Sequence, residues 1–194
     1  MNIVIRATAV AATILLTACA GSRDTPAPQR YDLGVEAAVG QPAPGTQPVL
    51  LAFDAGPTVS DGGMLWRVGD SASPNAYANS RWVAPPVLLV SQRITERVGA
   101  RRPVADAAVL ASAPQARIVL TQFEQVFSDD GASSEGRLAM QVMLVRDRQA
   151  VGATQIVARV PAPTQDAAGG VQALRQAATE AGDKLASWLD GYLK

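Results

Sequence analysis

Three long alternating runs joined by short polar links constrain this chain most. They are Ala116–Phe127, Arg137–Arg146 and Gly152–Val160. In the second, Leu138, Met140, Val142 and Leu144 recur at every other position, the period of a strand with one buried face. In the first, Val119, Thr121, Phe123 and Phe127 share one face, opposite Leu120, Gln122 and Glu124. Asp129-Asp130-Gly131 and Asp147-Arg148-Gln149 are short enough to join only antiparallel neighbours. After them comes Val171–Leu193, where Val171, Leu174, Ala178, Ala181, Leu185 and Trp188 repeat at threes and fours. That is one apolar stripe on a long amphipathic helix.

The first half reads less sharply. Tyr31–Val35 alternates as a half-buried strand does. Residues 37–48 are rich in Gly and Pro and read as a loop. Val49–Phe53 and Met64–Val68 are strand-like, and Gly69–Ser80 is polar and loop-like around Tyr77. Pro85-Pro86 suits a helix start. Val87, Val90, Ile94 and Val98 then mark a helix over Pro86–Val98, with Arg93, Glu96 and Arg97 on its other side. The expected fold class is α+β: an antiparallel sheet with two helices packed on one face, the C-terminal helix amphipathic.

The N-terminus is a separate module. Arg6 precedes an apolar run, Ala7–Leu16, broken only by Thr8 and Thr13. This is a secretory signal, too short to span a bilayer. It ends in Leu16-Thr17-Ala18-Cys19, the lipobox pattern: an aliphatic residue, two small ones, then the cysteine that takes lipid. Cys19 is the single cysteine of the chain, so no internal disulfide is expected. The expected organisation is residues 1–18 as signal peptide, 19–29 as lipidated cysteine and tether, and 30–194 as one domain. Ala20 in place of Asp favours the outer membrane under the sorting rule of well-studied Gram-negative bacteria.

Composition excludes several function classes. Lys and Arg total 17 against 17 Asp and Glu, and there is no histidine. Ser-His-Asp and Cys-His catalysis and His-ligated zinc are therefore excluded. Balanced charge provides no electrostatic basis for binding nucleic acid. Gly62-Gly63 and Gly169-Gly170 lack the Lys-Ser/Thr of a P-loop. No catalytic residues, metal or cofactor are expected; the acids read as solvated surface, although a carboxylate hydrolase remains a formal alternative.

The densest aromatic cluster runs from Leu65-Trp66-Arg67 through Tyr77 to Arg81-Trp82-Val83-Ala84-Pro85-Pro86. Trp66, Tyr77, Arg81 and Trp82 are candidate partner-binding residues, because Trp and Tyr suit contact surfaces. Core packing by Trp66 and Trp82 is the competing reading.

These segments carry a resemblance. Cys19, Tyr31-Asp32-Leu33, Phe53, Leu65-Trp66-Arg67, Tyr77 and the Arg81-to-Pro86 stretch resemble the ABC-type transport auxiliary lipoproteins, which include the relatives of paraquat-inducible protein C. The resemblance spans most of the mature chain and is most specific at Tyr77 and Arg81–Pro86. Trp66 departs from it, a tyrosine being commoner there. It implies a non-enzymatic accessory of a lipid-moving system that joins two membranes. The implied partners are an MCE-domain protein with its permease and ATPase, and the membrane through Cys19. Contact with phospholipid and a homo-oligomer are left open. A scaffold lipoprotein of envelope assembly, with no lipid substrate, is the reading from a different class.

Overall fold

A computed structural model describes residues 27–35 and 40–193. Cys19, the signal peptide and most of the tether lie outside the described residues. The elements are β1 (Gln29–Tyr31), β2 (Leu50–Ala55), a 3-10 turn (Pro57–Val59), β3 (Gly63–Val68), β4 (Asn75–Trp82), α1 (Pro86–Gly99), β5 (Gln115–Phe127), β6 (Ser134–Arg146), β7 (Gln149–Pro161) and α2 (Ala167–Asp190). The α+β class is as expected. All seven strands form one sheet, ordered β1-β4-β3-β5-β6-β7, with β2 beside β5.

The sheet is mixed, mostly antiparallel. The β5–β6, β6–β7 and β3–β4 pairs are antiparallel. Three pairs are parallel: β1–β4, β2–β5 and β3–β5. Short links allow only antiparallel neighbours, whereas β2 and β3 reach β5 after a long excursion through α1, which permits parallel pairing. The tightest link is the β6–β7 turn. Asp147 and Arg148 sit at φ +51° and +63°, as a two-residue hairpin turn of the primed type requires.

β5 is the spine. One of its edges is shared: β2 pairs with Gln115–Leu120 and β3 with Gln125–Phe127. Between them Gly56 donates its N–H to Leu120 O at 2.8 Å. A Cβ on Gly56 would lie 3.2 Å from that same oxygen, so glycine suits the close approach. Opposite, the β5–β6 register shifts between Leu120 and Gln122. This bulge corrects the expected faces of β5. Ile118 and Leu120 point to the core, and beyond the bulge Phe123 does too. One extra residue reverses the alternation.

Two segments differ from expectation. Gly69–Ser80 was expected as loop, yet Asn75–Trp82 is strand. Most of its side chains are exposed, so no apolar alternation marks it. The other is the first strand, which ends at Tyr31. Asp32 then accepts the Gly34 N–H at 2.7 Å, and Gly34 turns at φ +65°.

Both helices cover one face of the sheet. In α1, Val90, Ile94 and Val98 are buried, as their spacing predicts. Arg93, expected on the outer side, is also buried. Its guanidinium donates to the carbonyls of Leu33 and of Gly34, the latter at 2.8 Å. Backbone acceptors that leave the sheet need donors, and a long side chain can reach them. In α2, Leu174, Ala178, Ala181 and Leu185 are buried as expected, together with Ala177 and Leu189. Leu174 and Leu185 each contribute about 1.5–3 kcal/mol of burial. Val171 and Trp188 are half-buried against the core.

Candidate functional site

The four aromatic-cluster candidates separate into three environments. Trp66 on β3 and Tyr77 on β4 come together on the helix side of the sheet. Their ring centres are 6.2 Å apart, and Trp66 meets Phe127 edge-on at 5.7 Å. The Tyr77 hydroxyl donates to Gln125 Oε1 at 2.9 Å, and Gln125 Nε2 donates to Ser134 Oγ at 2.8 Å. Gln125 is itself fully buried. The N-terminal turn of α2 lies on this relay: a Cβ on Gly170 would collide with Gln125 Oε1. Burial, and then the negative charge of Asp166, push the Tyr77 hydroxyl up to about 12. Tyr77 is therefore a neutral donor at any physiological pH.

Trp82 lies elsewhere. It is 3% exposed, with its ring 5.3 Å from Phe123. The candidate contact is a core residue, which is the competing reading of the sequence. Arg81, one position earlier, is exposed. It projects from the opposite side of β4, because successive strand residues alternate. Two half-buried aromatics, one core indole and one surface cation therefore do not make one contact patch.

A concave feature lies on the sheet face that the helices leave uncovered. A cavity of about 800 Å³ lies over β2, β5, β6 and β7, lined among others by Ala52, Asp54, Arg117, Val119, Gln141 and Met143. Its floor mixes apolar groups with one amide, Gln141, and one charge of each sign. Met143 is 45% exposed there. Leu120 does not line this surface, since it is core. A signal for the true surface exists in β6: the buried set Leu138 to Leu144 leaves Met143 facing outward.

Farther along the same face is a smaller, polar hollow of about 280 Å³, lined by Thr58, Arg67, Gln122 and Glu124. Arg67 Nε lies 2.8 Å from Glu124 Oε2. Gln122 Nε2 donates to Glu124 Oε1 at 2.6 Å. One carboxylate oxygen thus accepts a hydrogen bond, and the other faces the Arg67 charge, which offsets the cost of burying the carboxylate. The face offers shape, amides and paired charge, a chemistry of binding. Among the described residues no three or more acids or cysteines group as metal ligands. No described helix is long and apolar enough to cross a membrane.

No family model matches the chain, and no curated protein matches it in sequence. Solved structures do match. A crystal structure of a Xanthomonas campestris protein of the family DUF330 superposes with a TM-score of 0.66 at 16% identity. The match covers 83% of this chain and 94% of that one. The crystal structure of an uncharacterized protein superposes with a TM-score of 0.67 at 11% identity, covering 84% and 99%. The seven-stranded sheet with two helices on one face is therefore a fold that this chain shares, nearly whole, with the DUF330 protein.

Proposed function

We propose that the chain is an exported, lipid-anchored accessory of an ABC/MCE-type intermembrane lipid transport system, a non-enzymatic periplasmic adaptor for the MCE-domain protein. The observation that carries this reading is the lipobox at Cys19, ten residues before the sheet begins at Gln29. Such a tether reaches at most about 35 Å, so the domain works beside its membrane. The fold shared with the DUF330 protein and the resemblance at Tyr77 and Arg81–Pro86 support the same assignment. The uncovered sheet face is where the adaptor meets its partner, because among the described residues no helix covers it and its cavity is open. Ala20, where Asp would favour inner-membrane retention, supports attachment to the outer membrane.

The test is recovery of the MCE-domain protein with the acylated chain from solubilised envelopes. Met143→Glu and Arg117→Glu, folded by circular dichroism, should lower recovery about tenfold, the effect of losing a central contact. Undiminished recovery with both variants would overturn the assigned face. Recovery of envelope-assembly proteins, with no MCE-domain protein, would favour the scaffold reading.

A further inference from the structure

Arg30 and Arg81 are direct partners across the β1–β4 ladder. Residues opposite each other on neighbouring strands project to the same face. The next pair, Tyr31 and Trp82, sets which face: Trp82 enters the core, so both arginines project on the uncovered side. Two like charges at this spacing destabilise a sheet unless something neutralises them. Among the described residues, neither guanidinium has a carboxylate within ion-pair distance. Arg30 donates to Val83 O at 3.0 Å. The acids nearby in sequence each accept a local backbone amide: Asp32 from Gly34 and Asp61 from Gly63, each at 2.7 Å. Beside the pair, Val83 is 42% exposed.

This corner is also where the tether enters the sheet. Arg30 is the second residue of β1, so about ten residues separate the pair from Cys19. We infer that the β1–β4 corner docks on a bilayer bearing anionic headgroups, with Arg30 and Arg81 meeting lipid phosphate and Val83 meeting the interface. The inference rests on lipid attachment at Cys19, which holds this corner within about 35 Å of the surface. It also orients the domain. The cavity over β2 and β5–β7 then lies on the same face but toward the other edge of the sheet, strands away from the membrane corner and available to a partner.

The experiment uses the full acylated chain on vesicles of mixed phosphatidylethanolamine and phosphatidylglycerol. An environment-sensitive dye is placed on Val83→Cys or on Met143→Cys; the Cys19 thiol is blocked by its lipid. A lipid-borne quencher should reach the dye at 83 and leave the dye at 143 bright. Arg81→Glu should reduce quenching at 83 about fivefold, the weight of one basic residue near an anionic surface, and Arg81→Lys should retain it. Phosphatidylcholine vesicles should act as Arg81→Glu does. Equal quenching at both positions, or no response to Arg81→Glu, would overturn the docked orientation. Mass spectrometry of Cys19 tests the anchor separately. If no lipid is found, the anchor reading fails, and the same dyes read on the unacylated chain with Cys19→Ser, which removes the thiol that would otherwise take the dye, still decide the surface.

Discussion

Arg102 Nη2 lies 2.6 Å from Asp190 Oδ1, although the arginine sits just after α1 and the aspartate ends α2. The guanidinium is 1% exposed. It also donates to Gln47 O at 3.0 Å and Leu193 O at 3.2 Å. One side chain thus ties the approach to β2, the end of α1 and the C-terminus of α2. Removing it leaves buried carbonyls without donors. Arg102→Met should cost about 1–3 kcal/mol in urea unfolding, the range for hydrogen-bonding groups left unsatisfied, since Asp190 keeps Arg101 as its partner at 2.6 Å. Arg102→Lys should rescue little, because an ammonium cannot span the three acceptors that the planar fork reaches.

Trp82 and Arg81 are neighbours in sequence with opposite expected behaviour. Trp82→Ala empties a site against Phe123 in the core. It should cost about 3–5 kcal/mol, as large aromatic truncations do. Arg81→Ala removes an exposed side chain and one of two like charges opposed across the β1–β4 pair, and should change stability by less than about 0.5 kcal/mol, toward a gain. Chemical denaturation of the two variants checks this. Lost partner binding in Trp82→Ala would therefore report unfolding rather than a contact.

Tyr77 carries a pH signature. Its folded value, about 12, is above the unfolded 10.0. In the folded state the hydroxyl keeps its proton over that window while the unfolded chain releases it. The stabilisation is therefore fully present below pH 10 and is lost as pH rises toward 12. Unfolding free energy measured against pH should fall across this window in the wild type. In Tyr77→Phe that part of the fall should be absent, and tyrosinate absorbance should lose its step near 12.

The residues legible in the sequence were those whose partners repeat along one element. The alternation of Leu138 to Leu144 and the stripe from Leu174 to Leu185 each identify a buried face without knowledge of the neighbour. Asn75–Trp82 was illegible because strand β4 buries few side chains, so its pairing is carried by backbone groups common to every residue. The faces of β5 were misread because a bulge shifts the period, and nothing in Leu120-Thr121-Gln122 announces it. Arg93 and Arg102 were invisible as core because their acceptors are carbonyls of distant segments. The pairing of Arg30 with Arg81 needs the register of two strands far apart in sequence. Of the aromatic candidates, residue type marked Trp66, Tyr77 and Trp82 as notable, and only topology separated core from surface.

Gly136 and Gly99 test how closely α2 lies on the sheet. At Gly136 in β6 an added Cβ would lie 2.7 Å from the backbone nitrogen of Leu174 and 2.8 Å from the carbonyl carbon of Ala173. Both atoms belong to helix backbone, which cannot move aside as a flexible side chain can. Gly136→Ala should therefore lift α2 and cost about 1–3 kcal/mol, the usual range for overpacking. That loss should outweigh the smaller gain from restricting the unfolded chain. At Gly99, the last residue of α1, nothing lies within 4 Å of the added Cβ. Gly99→Ala should keep only the gain, about 0.4–1 kcal/mol of added stability. Equal effects of the two substitutions in urea titrations would mean that Gly136 does not set the helix-to-sheet distance. A loss in Gly136→Ala alone would establish that the absence of a side chain there lets α2 seat its alanines on β6.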